Sequence, residues 1–216
     1  MGPTDGAERR KFGPGASQTE KVSSMDENKG HHVDSANLPD RFPTHRHSPQ
    51  LWEKLGRTVA TYGFLEEVLG KAIFAFSGTT TFSDDALADA LAKWQVTLEK
   101  ALTDALASLI GGYEKAVKAN GNLEMKNFDD LISDLRKATE VRNAICHGSW
   151  RSPNEQGASR LHFVNRKLEI FDTSVDIAFL RQLQQHVAEL AVAVVNTVTI
   201  MGYQFPGSSG PGKSIW

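Results

Sequence analysis

The sequence predicts an all-α fold: a four-helix up-and-down bundle with a small β-hairpin inserted between the third and fourth helices. Three observations carry that expectation. Apolar residues recur at alternating threes and fours over four stretches, those stretches open and close on residues suited to helix ends, and one segment between the last two alternates as strands do. The expected organisation is a disordered arm over 1–47, the bundle over 48–201 and a flexible tail over 202–216.

The totals are ordinary for a folded domain. The chain has 216 residues, 40% hydrophobic and 23% charged, with a net charge of −2, so attraction to a polyanion would have to be local. A single cysteine, Cys146, excludes an intrachain disulfide and a multi-cysteine zinc site. No apolar run approaches the roughly 20 residues that span a bilayer, and the basic N-terminus has no apolar segment behind it, so no secretory signal is expected. The expectation is a cytoplasmic protein with no membrane partner.

Residues 1–47 are rich in Gly, Pro, Ser, Asn and charge and lack the apolar periodicity that would offset the entropy of ordering. His31, His32, His45 and His47 lie in this arm, but nothing nearby imposes a metal geometry. They read as solvated histidines.

Helix one starts at Ser48 and Pro49, a capping hydroxyl and a first-turn proline. Trp52, Leu55, Val59, Tyr62, Leu69, Ile73 and Phe76 form its apolar face. Glu66 falls on that face, where a carboxylate is costly unless it meets a cation or a donor or snorkels to water. Ser83, Asp84 and Asp85 are a good start for helix two, whose face runs through Leu87, Leu91, Trp94, Leu98, Leu102, Leu106, Leu109, Tyr113 and Val117. Gly111-Gly112 could kink it, and Asn120-Gly121 stops it in the left-handed manner. Asn127 caps helix three, with Phe128, Leu131, Leu135, Ala138 and Ile145 facing inward. Leu161 to Phe171 alternates around Asn165-Arg166, a hairpin signal, and such a hairpin must pack on the helices. Asp172 and Ser174 then cap helix four, which carries Ile177, Leu180, Leu183, Val187, Leu190, Val194, Val198 and Met201.

The chemistry concentrates at the end of helix three. Arg142 lies four residues after Ala138 and three before Ile145, so it shares the apolar stripe. Two helices each place one charge on an inward face, and pairing Glu66 with Arg142 is the economical solution. His147 precedes Gly148, a natural C′ residue, where the helix dipole favours its protonated form.

Arginine, an adjacent amide and a histidine five positions on, in Arg142-Asn143-Ala144-Ile145-Cys146-His147, resemble the motif of HEPN-domain proteins, small helical bundles that include metal-independent ribonucleases of toxin, abortive-infection and RNA-processing systems. The resemblance implies that Arg142 stabilises the scissile phosphate, Asn143 orients it and His147 transfers a proton. Glu66 matches the acidic residue that some members supply from an early helix. It also implies RNA as substrate, a homodimer, an antitoxin or sensor protein as a further partner, and neither metal nor cofactor.

Physical chemistry supports those roles independently. Arginine stays charged and can grip two phosphate oxygens, and histidine can exchange a proton near neutrality. Positions five apart on a regular helix differ by roughly 140°, so Arg142 and His147 share a face only if the last turn loosens or a second chain supplies one of them.

Seven basic residues, Arg136, Lys137, Arg142, Arg151, Arg160, Arg166 and Lys167, face only Glu140 and Glu155 within 136–167. That surplus suggests an RNA-backbone patch of Arg136, Lys137 and Arg151, with Trp150 stacking on a base or closing the core. Cys146 reads as a buried, inert thiol. Gly207 to Ser214 matches a phosphate-loop string, but too little chain follows for the helix that such a loop needs.

The leading expectation is therefore an endoribonuclease leaving 2′,3′-cyclic phosphate and 5′-hydroxyl ends. A non-catalytic helical module that binds RNA, a nucleotide or a partner protein is its rival from another class. A plain dimerisation bundle is a third.

Overall fold

The computed structural model describes residues 32–81, 83, 85, 87–121 and 125–215. It is mostly helical, with a small three-stranded antiparallel sheet. The described residues divide into two units at Leu38 and Pro39. The first holds one 3-10 turn, Ser35–Asn37, capped by the Asp34 carboxylate on the Ala36 amide.

The second unit contains five helices, α1 (Pro49–Gly78), α2 (Leu87–Thr103), α3 (Leu106–Asn120), α4 (Phe128–His147) and α5 (Ile177–Thr199). Helix α1 is the hub and touches the other four. Its start follows the sequence: Ser48 Oγ accepts from the Leu51 amide at 3.3 Å behind Pro49. Tyr62, Leu69, Ile73 and Phe76 are buried, together with Leu51, Leu65, Val68 and Ala72. Val59, expected inside, is exposed. The expected long second helix is two helices. It breaks at Asp104 and Ala105, not at Gly111-Gly112, which lie inside α3.

The helix before the break, α2, is the outlying one: Leu91 and Leu102 are exposed, whereas Leu106, Leu109, Tyr113 and Val117 of α3 are buried. Periodicity continues across the break because both pieces are amphipathic. It cannot report that the chain changes direction. Asp84 lies outside the described residues, and α2 starts at Leu87, later than Ser83 would place it. At the other end Gly121 adopts φ +70°, the left-handed stop expected there. Asn120, itself buried, donates to the Phe76 carbonyl at 2.8 Å and Thr79 Oγ1 at 2.9 Å, which ties the ends of α3 and α1 together.

Between α4 and α5 the chain forms β1 (Ser149–Trp150), β2 (Ser159–His162) and β3 (Ser174–Val175), ordered β1-β2-β3. Ser149 faces His162, and Arg160 faces Ser174. The expected hairpin is present only as a turn closed by a Val164–Ile170 bridge. Its Asn165 Oδ1 accepts from the Lys167 and Glu169 amides. The segment expected to cap the last helix is strand β3 instead, and Asp176 caps α5 by accepting from the Phe179 amide at 2.7 Å. Leu180, Leu183, Val187, Leu190, Val194 and Val198 of α5 are buried as the spacing predicts.

Both ends of the helical unit depart from expectation. Residues 39–47 form turns, and His47 is buried, with Nε2 2.8 Å from Ser159 Oγ and its ring against Trp52 and Trp150. His31 lies outside the described residues, and His45 stacks on Phe42. The tail after Gly202 folds back: Gln204 N donates to the Lys213 carbonyl at 2.9 Å, Lys213 N to that of Gly202 at 2.7 Å, and Tyr203, Phe205 and Ile215 pack on the core. Tyr203, Phe205 and Pro206 at its start and Ile215 at its end are enough to anchor it, and the Gly and Ser between them hide that in composition. The phosphate-loop string is part of this folded-back loop, and Trp216 lies outside the described residues. Among the described residues no helix is long and apolar enough to cross a membrane.

Candidate functional site

Helix α4 carries its candidate functional residues at its C-terminal end because its first two-thirds are committed to the core. Asp129 and Asp130 suit the positive end of the helix dipole. Leu131, Leu135, Ala138 and Ile145 are buried on one stripe, with Phe128 packed beside them. Arg142 rides the edge of that stripe. Its Nη2 lies 3.8 Å from Glu66 Oε1 of α1, and both side chains are 30% exposed.

The expected pairing of Glu66 with Arg142 is therefore present, and it is loose. Arg142 Nη1 donates to Asn143 Oδ1 at 3.4 Å, a long bond, and the carboxylate stands beyond hydrogen-bond range. A guanidinium has five N–H donors, so most of them remain available to an anion. Half-exposed pairs of this kind stabilise a fold by roughly 1 kcal/mol or less.

Two further residues join this cluster that sequence reasoning did not place there. Tyr62, one turn before Glu66, is buried and donates to the Ala138 carbonyl at 2.7 Å. Burial holds its phenol far above the ordinary range, with the neighbouring Cys146 adding to the rise and Arg142 opposing it. Cys146, one turn after Arg142, is exposed, not buried as expected. Partial screening of its sulfur nevertheless raises the thiol pKa, Arg142 pulls it down and Glu66 pushes it up. The signal for both was the four-residue spacing, Tyr62 to Glu66 and Arg142 to Cys146, which puts each pair on one helix face.

That coupling is measurable without any substrate. At about pH 8 the thiolate fraction of Cys146 is lower in the folded chain than in the unfolded one, and the thiolate is the reactive form. Alkylation by iodoacetamide is expected to be severalfold slower in the native protein than in urea. Arg142→Ala should slow it further and Glu66→Gln should accelerate it; rates indifferent to both would place the cluster apart.

His147 does not join the cluster. The helix stays regular through it and Gly148 N donates to the Ala144 carbonyl at 2.8 Å, so the last turn does not loosen to bring the two residues onto one face. His147 thus points roughly 140° from Arg142 and is exposed. Among the described residues its side chain has no hydrogen bond or ion pair. Gly148 is extended, with φ −71° and ψ 144°, so it is not the left-handed cap that its position suggests. It is glycine for space: an added Cβ would overlap the Ala144 carbonyl oxygen and sit 3.2 Å from Leu161 Cβ.

The chain then enters β1, where Trp150 closes the structure. Its Nε1 donates to the Ile145 carbonyl at 3.3 Å, and its ring lies 5.4 Å from Trp52. That indole clamps the end of α4 to the start of α1 and is not a free stacking platform. The basic surplus also shrinks. Arg136 pairs with Glu114 at 2.6 Å, Lys137 with Asp134 at 3.0 Å and Arg160 with Asp172 at 3.5 Å. All three acids lie outside the window 136–167, so counting along the chain missed them. Arg151, Arg166 and Lys167 stay exposed, and Arg46, which the window omitted, reaches Ser152 Oγ at 3.4 Å.

No three His, Cys, Asp or Glu side chains gather as a metal site among the described residues. Neither a protein-family model nor a curated protein nor a solved structure matches this chain.

Proposed function

We propose that this protein is a homodimeric, cytoplasmic endoribonuclease of the HEPN type, a toxin or antiphage effector that cleaves RNA without a metal ion. On this reading α1, α3, α4 and α5 make the four-helix bundle, and α2 and the sheet are additions to it. The observation that carries the proposal is the under-committed guanidinium of Arg142, held at a helix end by Glu66 at 3.8 Å with most of its donors unused.

The chemistry follows from those groups. The RNA 2′-oxygen attacks phosphorus and the 5′-oxygen leaves, giving a 2′,3′-cyclic phosphate and a 5′-hydroxyl. Arg142 offsets the charge that gathers on the phosphoryl oxygens. Asn143 helps to orient the phosphate, Glu66 aims the guanidinium, and His147 takes the 2′ proton or returns one to the leaving oxygen. Because Arg142 and His147 diverge around one helix, the histidine of each site comes from the second protomer across a two-fold axis.

That same divergence favours the rival reading, a non-catalytic helical module that binds RNA, a nucleotide or a partner protein. Cleavage of total RNA in excess EDTA separates the two. Wild type should yield cyclic-phosphate ends, and His147→Ala should yield none while keeping its RNA affinity. RNA left intact by wild type in excess over substrate, yet bound, would make the chain a binder.

A further inference from the structure

A groove of about 880 Å³ lies among α1, α2 and α3, on residues distinct from the Arg142 cluster. Its origin is legible in side-chain size. Helix α2 reaches α1 through Trp94, whose Nε1 donates to Ser77 Oγ at 2.9 Å, and through Ala101, whose carbonyl oxygen would lie 2.8 Å from a Cβ at Gly70. Toward α3 it meets small residues, Gly111, Gly112 and Ala116 among them, where two packed helices would interlock larger ones. The space between them stays open.

The walls are mainly apolar, with hydroxyls from Ser77, Thr80, Thr81, Thr97 and Ser108, and the rim is cationic. Ile73 and Leu109 line the floor, while Lys93 and Lys100 of α2 and Lys115 of α3 border the groove, with Asp104 as the one acid among the lining residues. Lys71, Lys118 and Lys137 each hold a carboxylate. The three rim lysines are exposed and have no ion pair among the described residues. Lys93 and Lys100 are two turns apart, roughly 10 Å. From Ala90 to Ala101 the groove follows α2 for roughly 17 Å, which matches an extended aliphatic chain of medium length.

We propose that this groove binds a free fatty acid, with the aliphatic chain along the floor and the carboxylate at the lysine rim. An apolar floor contributes about 0.8 kcal/mol per buried methylene, and the volume falls within the range of about 300–1,000 Å³ usual for small-molecule sites. The unpaired lysines select the anion. This site is independent of the RNA chemistry, and its test needs no RNA.

The test is calorimetric titration of the full chain with dodecanoate below its micelle concentration, beside octanoate, dodecyltrimethylammonium and phosphatidylglycerol vesicles. One dodecanoate per chain is expected, with octanoate and the cationic amphiphile at least tenfold weaker. Lys93→Gln/Lys100→Gln/Lys115→Gln, confined to exposed side chains, should weaken dodecanoate at least tenfold at unchanged melting temperature. Ala119→Phe, on the exposed wall, should abolish binding by filling the groove. Absence of saturable binding, equal affinity for the cationic amphiphile, indifference to both variants, or binding to vesicles alone would each overturn the proposal.

Discussion

Arg142→Ala is expected to lower RNA cleavage about 100- to 1,000-fold, the usual cost of removing one preorganised donor to a developing oxyanion, while the melting temperature barely moves. The second half follows from the geometry: a pair at 3.8 Å between side chains 30% exposed contributes little to folding. Arg142→Lys restores the charge without the planar fork and should recover only part of the activity. Mixing Arg142→Ala with His147→Ala provides the decisive readout. In heterodimers one site regains both groups, so about a quarter of wild-type activity should return if the histidine acts across the two-fold. No recovery would sink the shared site. Loss of stability without any change in cleavage would instead make Arg142 a structural residue of a dimerisation bundle.

Gly148→Val is the substitution expected to damage the fold most for its size. The added carbon overlaps the Ala144 carbonyl oxygen, and Leu161 Cβ and Phe163 Cβ lie 3.2 and 3.4 Å away. Either the last turn of α4 or strand β2 must then move. Overpacking of this kind costs about 2–4 kcal/mol, which lowers the melting temperature of a chain of this length by roughly 4–16 °C. Gly121→Ala is the contrast: its φ of +70° is strained for alanine, but nothing lies within 4 Å of the added carbon, so about 1 kcal/mol is expected. Equal melting temperatures for the two variants would refute the steric account. Because Gly148 directly follows His147, the larger loss should carry RNA cleavage down with it, and Gly121→Ala should leave cleavage intact.

The charged pair of the site was legible because the core pattern is regular. Buried stripes on α1 and α4 leave Glu66 and Arg142 as facing charges at core-facing positions, and a charge there needs a partner. Tyr62 and Cys146 were legible in principle from the same four-residue spacing, but an aromatic on an apolar stripe reads first as core. What spacing could not supply was the conformation at Gly148, since glycine serves both left-handed caps and close approaches.

By itself the sequence determined the helices with strong apolar faces, the start of α1 at Ser48, the left-handed end of α3, the run of α4 through His147, and the Glu66–Arg142 pair. All of these rest on local chemistry, namely capping, periodicity and the cost of an unpaired charge. Only the tertiary structure decided that the second helix breaks at Asp104, that α2 stands off and leaves a groove, and that His47, Trp52 and Trp150 clamp the sheet. The same holds for the neutralisation of Arg136 by Glu114 and for the folding back of the tail onto the core. Each of those outcomes depends on which residues distant in sequence come into contact, and that information is not local to any stretch of the chain.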